Sequence, residues 1–128
     1  MNKISQGIAA ASLCAARTDA AGTIVGRYLF KESFAGFAGH FPGYPILPAV
    51  VEILTVVRLV GDASGRRQRL VSVQDAKFLT PVRPDQELLV RCRTRAVQGK
   101  LCYDARLTVA DTTAATLLLE LADFEEPT

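Results

Sequence analysis

The segment Phe37–Val51, FAGHFPGYPILPAVV, constrains the fold more than any other part of the chain. It holds the only histidine, His40, and three of the six prolines. Glycine and proline at this density predict a fixed, non-repetitive loop. Pro48 suits the first position of a helix, where its missing N–H has no cost. We therefore predict a rigid loop carrying His40 beside a helix start, whose free N–H groups and positive dipole end suit a developing oxyanion.

The residues after this loop predict one enclosed helix, from about Pro48 to Val60. Its polar residues Glu52, Thr55 and Arg58 recur every three positions as one narrow stripe, and nearly all the others are apolar. A helix this apolar is typical of one surrounded by other structure. The segment 61–65, GDASG, predicts its end.

Strands are predicted on both sides of this helix. Residues 4–17 alternate weakly and predict a first strand, and residues 23–31 predict a second with Ile24, Tyr28 and Phe30 facing inward. A short helical turn is expected at 34–37. Further strands are predicted at 67–79, 87–97, 100–110 and 114–124.

Two of these strands alternate cleanly enough to predict a hairpin. A two-residue turn at 98–99 would pair Arg93 with Asp104 and Cys92 with Ala105. This register separates apolar from charged side chains consistently. The apolar face would hold Val90, Cys92, Ala96, Leu101, Ala105 and Leu107, and the other face Arg91, Arg93, Asp104 and Arg106.

Two blocks of the sequence, HFPGYPILPA at 40–49 and KFLTPVRPD at 77–85, resemble the hot-dog (3R)-hydroxyacyl-acyl-carrier-protein dehydratases of fatty-acid synthesis. Together they cover most of residues 33–95. The resemblance implies an α+β hot-dog fold, in which a curled antiparallel sheet wraps one long central helix. It also implies a dimer whose sheets join edge to edge. The length of the chain predicts one domain over residues 1–128.

The resemblance also implies a chemistry. His40 would take the α-proton of a hydroxyacyl thioester, and a carboxylate from the other subunit would assist loss of the hydroxyl. Gly43 and the N–H of Ala49 would lie at the thioester oxygen. The acyl chain would be carried on the phosphopantetheine of an acyl carrier protein or of coenzyme A, with no metal and no further cofactor.

One residue departs from the family pattern. The acid of the family lies fourteen positions after the histidine, and Leu54 occupies that position here. Glu52 is the only acid nearby, but two residues turn a helical side chain by about 200°. Glu52 is therefore expected to pair locally within the polar stripe rather than to replace the acid.

The remaining charges and cysteines exclude several classes of protein. A net charge of +2 gives no support for nucleic-acid binding. The three cysteines lack metal-binding spacing and predict free thiols in a cytoplasmic protein. No apolar run has the length of a membrane span. Arg66, Arg67 and Arg69 form either a docking patch for an acidic carrier protein or an ordinary solvated surface.

Three functions stay open at this point. The first is a dehydratase, acting as a homodimer or as a heterodimer with a related hot-dog protein that keeps its acid. The second is a non-catalytic subunit that binds acyl thioesters, which Leu54 favours. The third is a thioesterase on the same fold. Acyl chain length, decoration and pathway are not determined by the sequence.

Overall fold

The computed structural model describes residues 3–37 and 43–124, so His40 lies outside the described residues. Within these ranges the chain forms helices, a short 3-10 turn and an antiparallel sheet. No helix in the described ranges is long and apolar enough to cross a membrane. The elements are α1 (Lys3–Ala11), β1 (Arg17–Thr18), β2 (Ile24–Leu29), the 3-10 turn (Ala35–Phe37), α2 (Ala49–Ser64), β3 (Gln68–Phe78), β4 (Glu87–Val97), β5 (Lys100–Val109) and β6 (Thr112–Asp123).

One six-stranded sheet holds all the strands in the order β1-β2-β4-β5-β6-β3. Every neighbouring pair is antiparallel. The core lies between one face of this sheet and α2, because Val56 and Leu59 of the helix are buried together with Val90, Leu107 and Leu117 of the strands. This confirms the predicted α+β architecture with a central helix.

The β4–β5 hairpin has the predicted register. Arg93 lies opposite Asp104 and Cys92 opposite Ala105. Gln98 and Gly99 at the turn both have positive φ, 49° and 79°, as a two-residue hairpin with right-handed twist requires. Val90, Cys92, Ala105 and Leu107 of the predicted apolar face are buried, whereas Ala96 and Leu101 near the turn are exposed, outside the buried core cluster.

The prediction of a strand over residues 4–17 is wrong. Most of this segment is α1, and its pairing with β2 is limited to the short β1 and an isolated bridge between Ser12 and Tyr28. Ile4, Ile8 and Ala11 recur at helical spacing and pack on the core. Gly7 lets the helix approach Phe34 closely, since a Cβ there would lie 2.5 Å from the Phe34 ring. The alternation is weak because five of these fourteen residues are alanine, which carries little periodic signal.

The central helix is longer than predicted and begins one residue later. Pro48 is its N-cap, with φ −62° and ψ 146°, so Ala49 is the first helical residue. Gly61 stays inside the helix, and the end comes at Gly65, which has φ 72° and donates its N–H to the Gly61 carbonyl. A left-handed glycine after the last turn is a common way to end a helix.

Candidate active site at the start of the central helix

The loop that enters α2 is held by the second sequence block. The N–H of Leu47 donates to the carbonyl of Val82 at 2.7 Å, and both side chains are buried. The guanidinium of Arg83 lies 4.0 Å from the centre of the Tyr44 ring, a cation–π contact. The structure therefore brings the two blocks together in space, and the loop after position 42 is fixed against residues 82–83.

Gly43 has a backbone conformation that favours glycine. Its φ is 81°, in the left-handed region. A Cβ at this position would have no atom within 4 Å, so conformation rather than lack of space favours glycine here. The predicted site residue His40 lies outside the described residues, and its role and that of Gly43 stay predictions.

The start of α2 offers backbone donors. The N–H groups of Val51 and Glu52 bond to the carbonyl of Pro48, at 3.0 and 3.3 Å. The N–H of Ala49 is in the first turn, where a helix supplies no acceptor, and it lies at the positive end of the helix dipole. This arrangement can stabilise an oxyanion, and the role of Ala49 at the thioester oxygen stays a prediction.

The polar stripe of α2 does not behave as one surface. Glu52 is only 5% exposed, and its Oε1 has no hydrogen-bond partner among the described residues. Thr55 is fully buried and donates its hydroxyl to the Val51 carbonyl at 2.7 Å. Arg58 alone lies in partial contact with solvent, where it pairs with Asp62 at 3.1 Å.

The expectation that Glu52 pairs locally is therefore wrong. Burial away from water raises the pKa of its carboxyl to about 8, because the charged form loses its hydration without gaining a partner. At neutral pH the side chain is mainly a neutral acid on the buried side of the helix. It can donate a proton, but it lies on the opposite side of α2 from Leu54.

Leu54 lines a cavity on the open side of α2. The side chain is 36% exposed, and the cavity has a volume of about 640 Å³. Ile8 of α1 and Val57 of α2 add apolar surface to its wall. The other residues of the wall are Ser5, Arg58, Gly61, Asp62, Gly65, Arg67 and Gln68. The cavity can accept an apolar chain beside a polar end.

The arginine cluster after α2 is partly engaged within the chain. Arg66 pairs with Asp123 at 3.1 Å, and the guanidinium of Arg67 lies 4.3 Å from the Phe124 ring centre. Arg69 is on β3 and exposed. Arg67 lines the same cavity as Leu54, so two of the predicted site residues meet there. Docking of a carrier protein on this cluster stays a prediction.

Arg83 and Tyr44 are site residues that the sequence did not single out. The Nε of Arg83 is buried and has no hydrogen-bond partner among the described residues. The backbone N–H of Arg83 donates to Gln86 Oε1 at 2.8 Å. Tyr44 lies in the first block and Arg83 in the second. Their membership of these blocks was the only sequence signal for either residue. Alternation and spacing do not show which side chains of two separate loops touch.

The cysteines take no part in this arrangement. Cys14 is exposed, and Cys92 and Cys102 are buried, all as free thiols. Burial raises the pKa of Cys92 to about 12, so this thiol is not a nucleophile at neutral pH. Across residues 3–37 and 43–124, no three His, Cys, Asp or Glu side chains are placed to hold a metal ion.

Comparison with known proteins gives one family match and many relatives. The ApeI-like family, described as ApeI dehydratase, matches residues 16–116. The 3-hydroxyacyl-[acyl-carrier-protein] dehydratase FabZ of Granulibacter bethesdensis is 35% identical over 74 residues, which are 51% of this chain and 44% of that protein. The FabZ of Acidiphilium cryptum is 33% identical over 105 residues, 70% of this chain and 62% of that protein. The matched region is thus less than two thirds of either relative.

Solved structures confirm the predicted hot-dog fold. A chain of the dehydratase heterocomplex ApeI:P from Xenorhabdus doucetiae superposes with a TM-score of 0.69 and 22% identity, over 87% of this chain and 96% of that chain. An uncharacterised protein from Erwinia carotovora subsp. atroseptica superposes with a TM-score of 0.68 and 20% identity, over 90% and 97% of the two chains. At these identities the likeness concerns the fold alone.

Proposed function

The chain belongs to the ApeI-like dehydratase family, and we propose that it dehydrates 3-hydroxyacyl thioesters together with a related hot-dog subunit that supplies a carboxylate. The product would be the 2-enoyl thioester and water. One observation carries the proposal. Leu54, at the position of the family's acid, lies on the open side of α2 against a cavity, whereas Glu52 is buried on the other side.

Elimination of water needs two groups with opposite tasks. A base removes a proton from C2, a weak carbon acid, and an acid protonates the hydroxyl leaving C3. His40 is suited to the first task. A leucine side chain cannot perform the second, and the buried carboxyl of Glu52 faces away from the cavity lined by Leu54. A carboxyl from a second subunit supplies what is missing.

The described surface suits such a partner. Strand β3 is an edge strand of eleven residues with one unpaired side. A long exposed edge is a template for pairing with another sheet. Val50 on α2 is 58% exposed, next to Leu54 one turn later. The exposed apolar side chains of β3 and the turn after it are Leu70, Val71, Val73, Phe78 and Leu79.

The proposed reaction follows from these groups. The imidazole of His40 takes the proton from C2, the C2–H electrons form the C2=C3 double bond, and the C3–O bond breaks. The partner's carboxyl gives its proton to the departing hydroxyl, which leaves as water. The Ala49 N–H, at the helix start, donates to the thioester oxygen while negative charge develops there.

The cavity beside Leu54 would receive the acyl group. Its apolar wall at Ile8, Leu54 and Val57 suits an alkyl chain, and Arg67 offers a cation for the phosphodiester of a phosphopantetheine arm. The thioester would arrive on an acyl carrier protein or on coenzyme A, since both carry this arm. No metal is needed for the proposed steps.

A second candidate is a non-catalytic subunit that binds an acyl thioester or completes an assembly. Leu54 favours this function as well, because a site that lacks the acid can still bind an acyl chain in its apolar cavity. The two functions differ in the role of His40. It is a base in the first and dispensable for chemistry in the second.

Product analysis separates these functions. A complex of this chain with a carboxylate-bearing hot-dog subunit is supplied with a 3-hydroxyacyl thioester, and the enoyl thioester, the free acid and unchanged substrate are quantified. We expect enoyl product, lost about 100-fold or more when His40→Ala is introduced in this chain only. The melting temperature should stay unchanged. Equal activity of the His40→Ala complex would support the non-catalytic function, and free acid would indicate a thioesterase.

A further inference from the structure

A row of basic side chains crosses the sheet on the face away from α2. Directly paired residues point to the same side of a sheet, and the ladder here runs Arg17, Val25, Arg91, Arg106, Thr116, Lys77. Val90 and Cys92 flank Arg91 and are buried in the core. Because side chains alternate along a strand, Arg91 and its row lie on the outer face.

The positive charge in this row is not compensated within the described chain. Arg91 lies directly opposite Arg106, an arrangement of like charges that destabilises a sheet. Within residues 3–37 and 43–124, neither of them forms an ion pair, nor does the neighbouring Arg93. By contrast, Arg27 on the same face pairs with Glu87 at 2.9 Å.

The centre of the row is a shallow cleft. It has a volume of about 310 Å³ and is lined by three arginines and one acid, Arg91, Arg93, Arg106 and Asp104, together with Thr23 and Cys92. All three guanidinium groups are on exposed residues. Their planar forks match carboxylate groups in a bidentate geometry, which lysine does not provide. The cleft is therefore suited to bind anionic groups that approach from outside.

The shape of the row indicates the kind of anion. It spans roughly 24 Å across the strands, at about 4.8 Å per strand, too long for a single small ligand. One helical turn rises about 5.4 Å, so carboxylates on one face of a helix recur at nearly the spacing of neighbouring strands. Arg91 and Arg106 lie on neighbouring strands, and Val25 and Thr116 separate them from Arg17 and Lys77. The next row contains Asp104 and Asp75, through pairings with Arg93 and Leu118. These acids would repel a phosphate backbone but can pair with a protein's cations.

We propose that this outer basic row, with its cations Arg17, Arg91, Arg106 and Lys77 and with Arg93 beside it in the next row, binds an acidic helix of a protein partner laid across the strands. The face lies opposite α2 and its cavity. The proposal therefore goes beyond the dehydration chemistry and does not depend on it.

A peptide pair tests the proposal on the intact protein. The probe is a labelled helical peptide of about 20 residues with glutamates along one face, and its control carries glutamines at the same positions. We expect the glutamate peptide to bind, measured by fluorescence anisotropy, and the glutamine peptide not to bind. Arg106→Gln should weaken binding about tenfold. Arg27→Gln removes the same charge from an ion-paired site on the same face. It should change the affinity for the glutamate peptide about twofold or less.

Thermal unfolding distinguishes a binding role from a structural one. Removing one of two opposed arginines should raise the melting temperature of Arg106→Gln by about 1–3 °C while peptide affinity falls. A loss of stability in that variant would show that the arginine supports the sheet, and would overturn the proposal. Equal affinity for the two peptides would also overturn it. So would tighter binding of a single-stranded RNA of equal length than of the glutamate peptide.

Discussion

The two sides of the central helix differ in a way that reverses the usual distribution of residues. The buried side of α2 holds a carboxyl, Glu52, that is 5% exposed and has no partner among the described residues. The open side presents two aliphatic side chains, Val50 at 58% and Leu54 at 36% exposure. A helix that served only to stabilise a lone subunit would place these residue types the other way round.

The difference shows that the buried side of α2 is covered within one subunit, whereas the open side is not. The buried side is closed by the sheet, and Glu52 persists there because protonation removes its charge. The open side is apolar at Val50 and Leu54 and adjoins a cavity, as expected of a surface that meets a second subunit and an acyl chain. Stability and function can therefore be tested separately on the two sides of one helix.

The largest expected effect comes from placing an acid on the open side. Leu54→Glu should restore the missing proton donor in a dimer of this chain alone, and raise formation of enoyl thioester about 10²- to 10⁴-fold. Partial burial should raise the pKa of the new carboxyl, which favours proton donation. The measurement is the initial rate with a 3-hydroxyacyl thioester.

A matched variant shows whether the position matters rather than the charge. Val50→Glu introduces the same group on the same side, one helical turn earlier, and should not raise the rate. If both variants are equally active, the alignment that places the family's acid at position 54 is wrong. A folded but inactive Leu54→Glu dimer would argue for the non-catalytic function.

On the buried side, the expected effect is a change in the pH dependence of stability. The folded protein holds the Glu52 proton up to a pKa of about 8, whereas the unfolded chain releases it near 4.5. The free energy of unfolding should therefore fall as the pH rises between these values and level off above them. Glu52→Gln should remove this slope, and at about pH 9 should gain about 2–4 kcal/mol relative to the unmodified chain.

Denaturant unfolding at a series of pH values measures this slope. Glu32→Gln is the control, since Glu32 is exposed and its substitution should leave the slope unchanged. A slope that survives Glu52→Gln would mean that another group carries the titration. A gain of stability with full retention of activity would also remove Glu52 as a candidate proton donor.

The smallest expected effect concerns aliphatic packing on the two sides. Val56 is fully buried, and Val56→Ala should lower the free energy of unfolding of the monomer by about 1–2.5 kcal/mol. Val50→Ala should cost less than about 0.5 kcal/mol in the monomer, because it removes exposed surface. It should instead weaken subunit association in sedimentation measurements. An equal loss of unfolding free energy in the Val56→Ala and Val50→Ala monomers would mean that the open side of α2 is covered within one subunit.

Much of the fold could be predicted because hydrophobic periodicity was strong where the core is formed. The β4–β5 register followed from two alternating strands and a two-residue turn. The prediction of a strand over the α1 segment is wrong because alanine shows neither the helical nor the strand period clearly. Ile4 and Ile8 do have helical spacing. Whether residues 1–128 form a single domain stays a prediction.

The site could be predicted only where a motif fixes identity and position. The first block suggested Gly43 and Ala49, and the distance from His40 suggested Leu54, and the roles of all three stay predictions. The helical turn of about 200° correctly placed Glu52 and Leu54 on different sides of the helix. The burial of Glu52 and Thr55 could not be predicted from the stripe, because polarity at regular spacing does not show which side a sheet will cover. The contact of Arg83 with Tyr44 needed three-dimensional coordinates, since the two residues are on separate loops.

The most direct test of a site shared between subunits uses two inactive versions of this chain. The unmodified chain carries His40 without the acid, and the double variant His40→Ala, Leu54→Glu carries the acid without the histidine. Mixed dimers made by co-expression should form enoyl thioester at one site per dimer, whereas each purified homodimer should be inactive or nearly so. Full activity of the unmodified homodimer, or mixed dimers no more active than the homodimers, would contradict a site completed by the carboxylate of a second subunit.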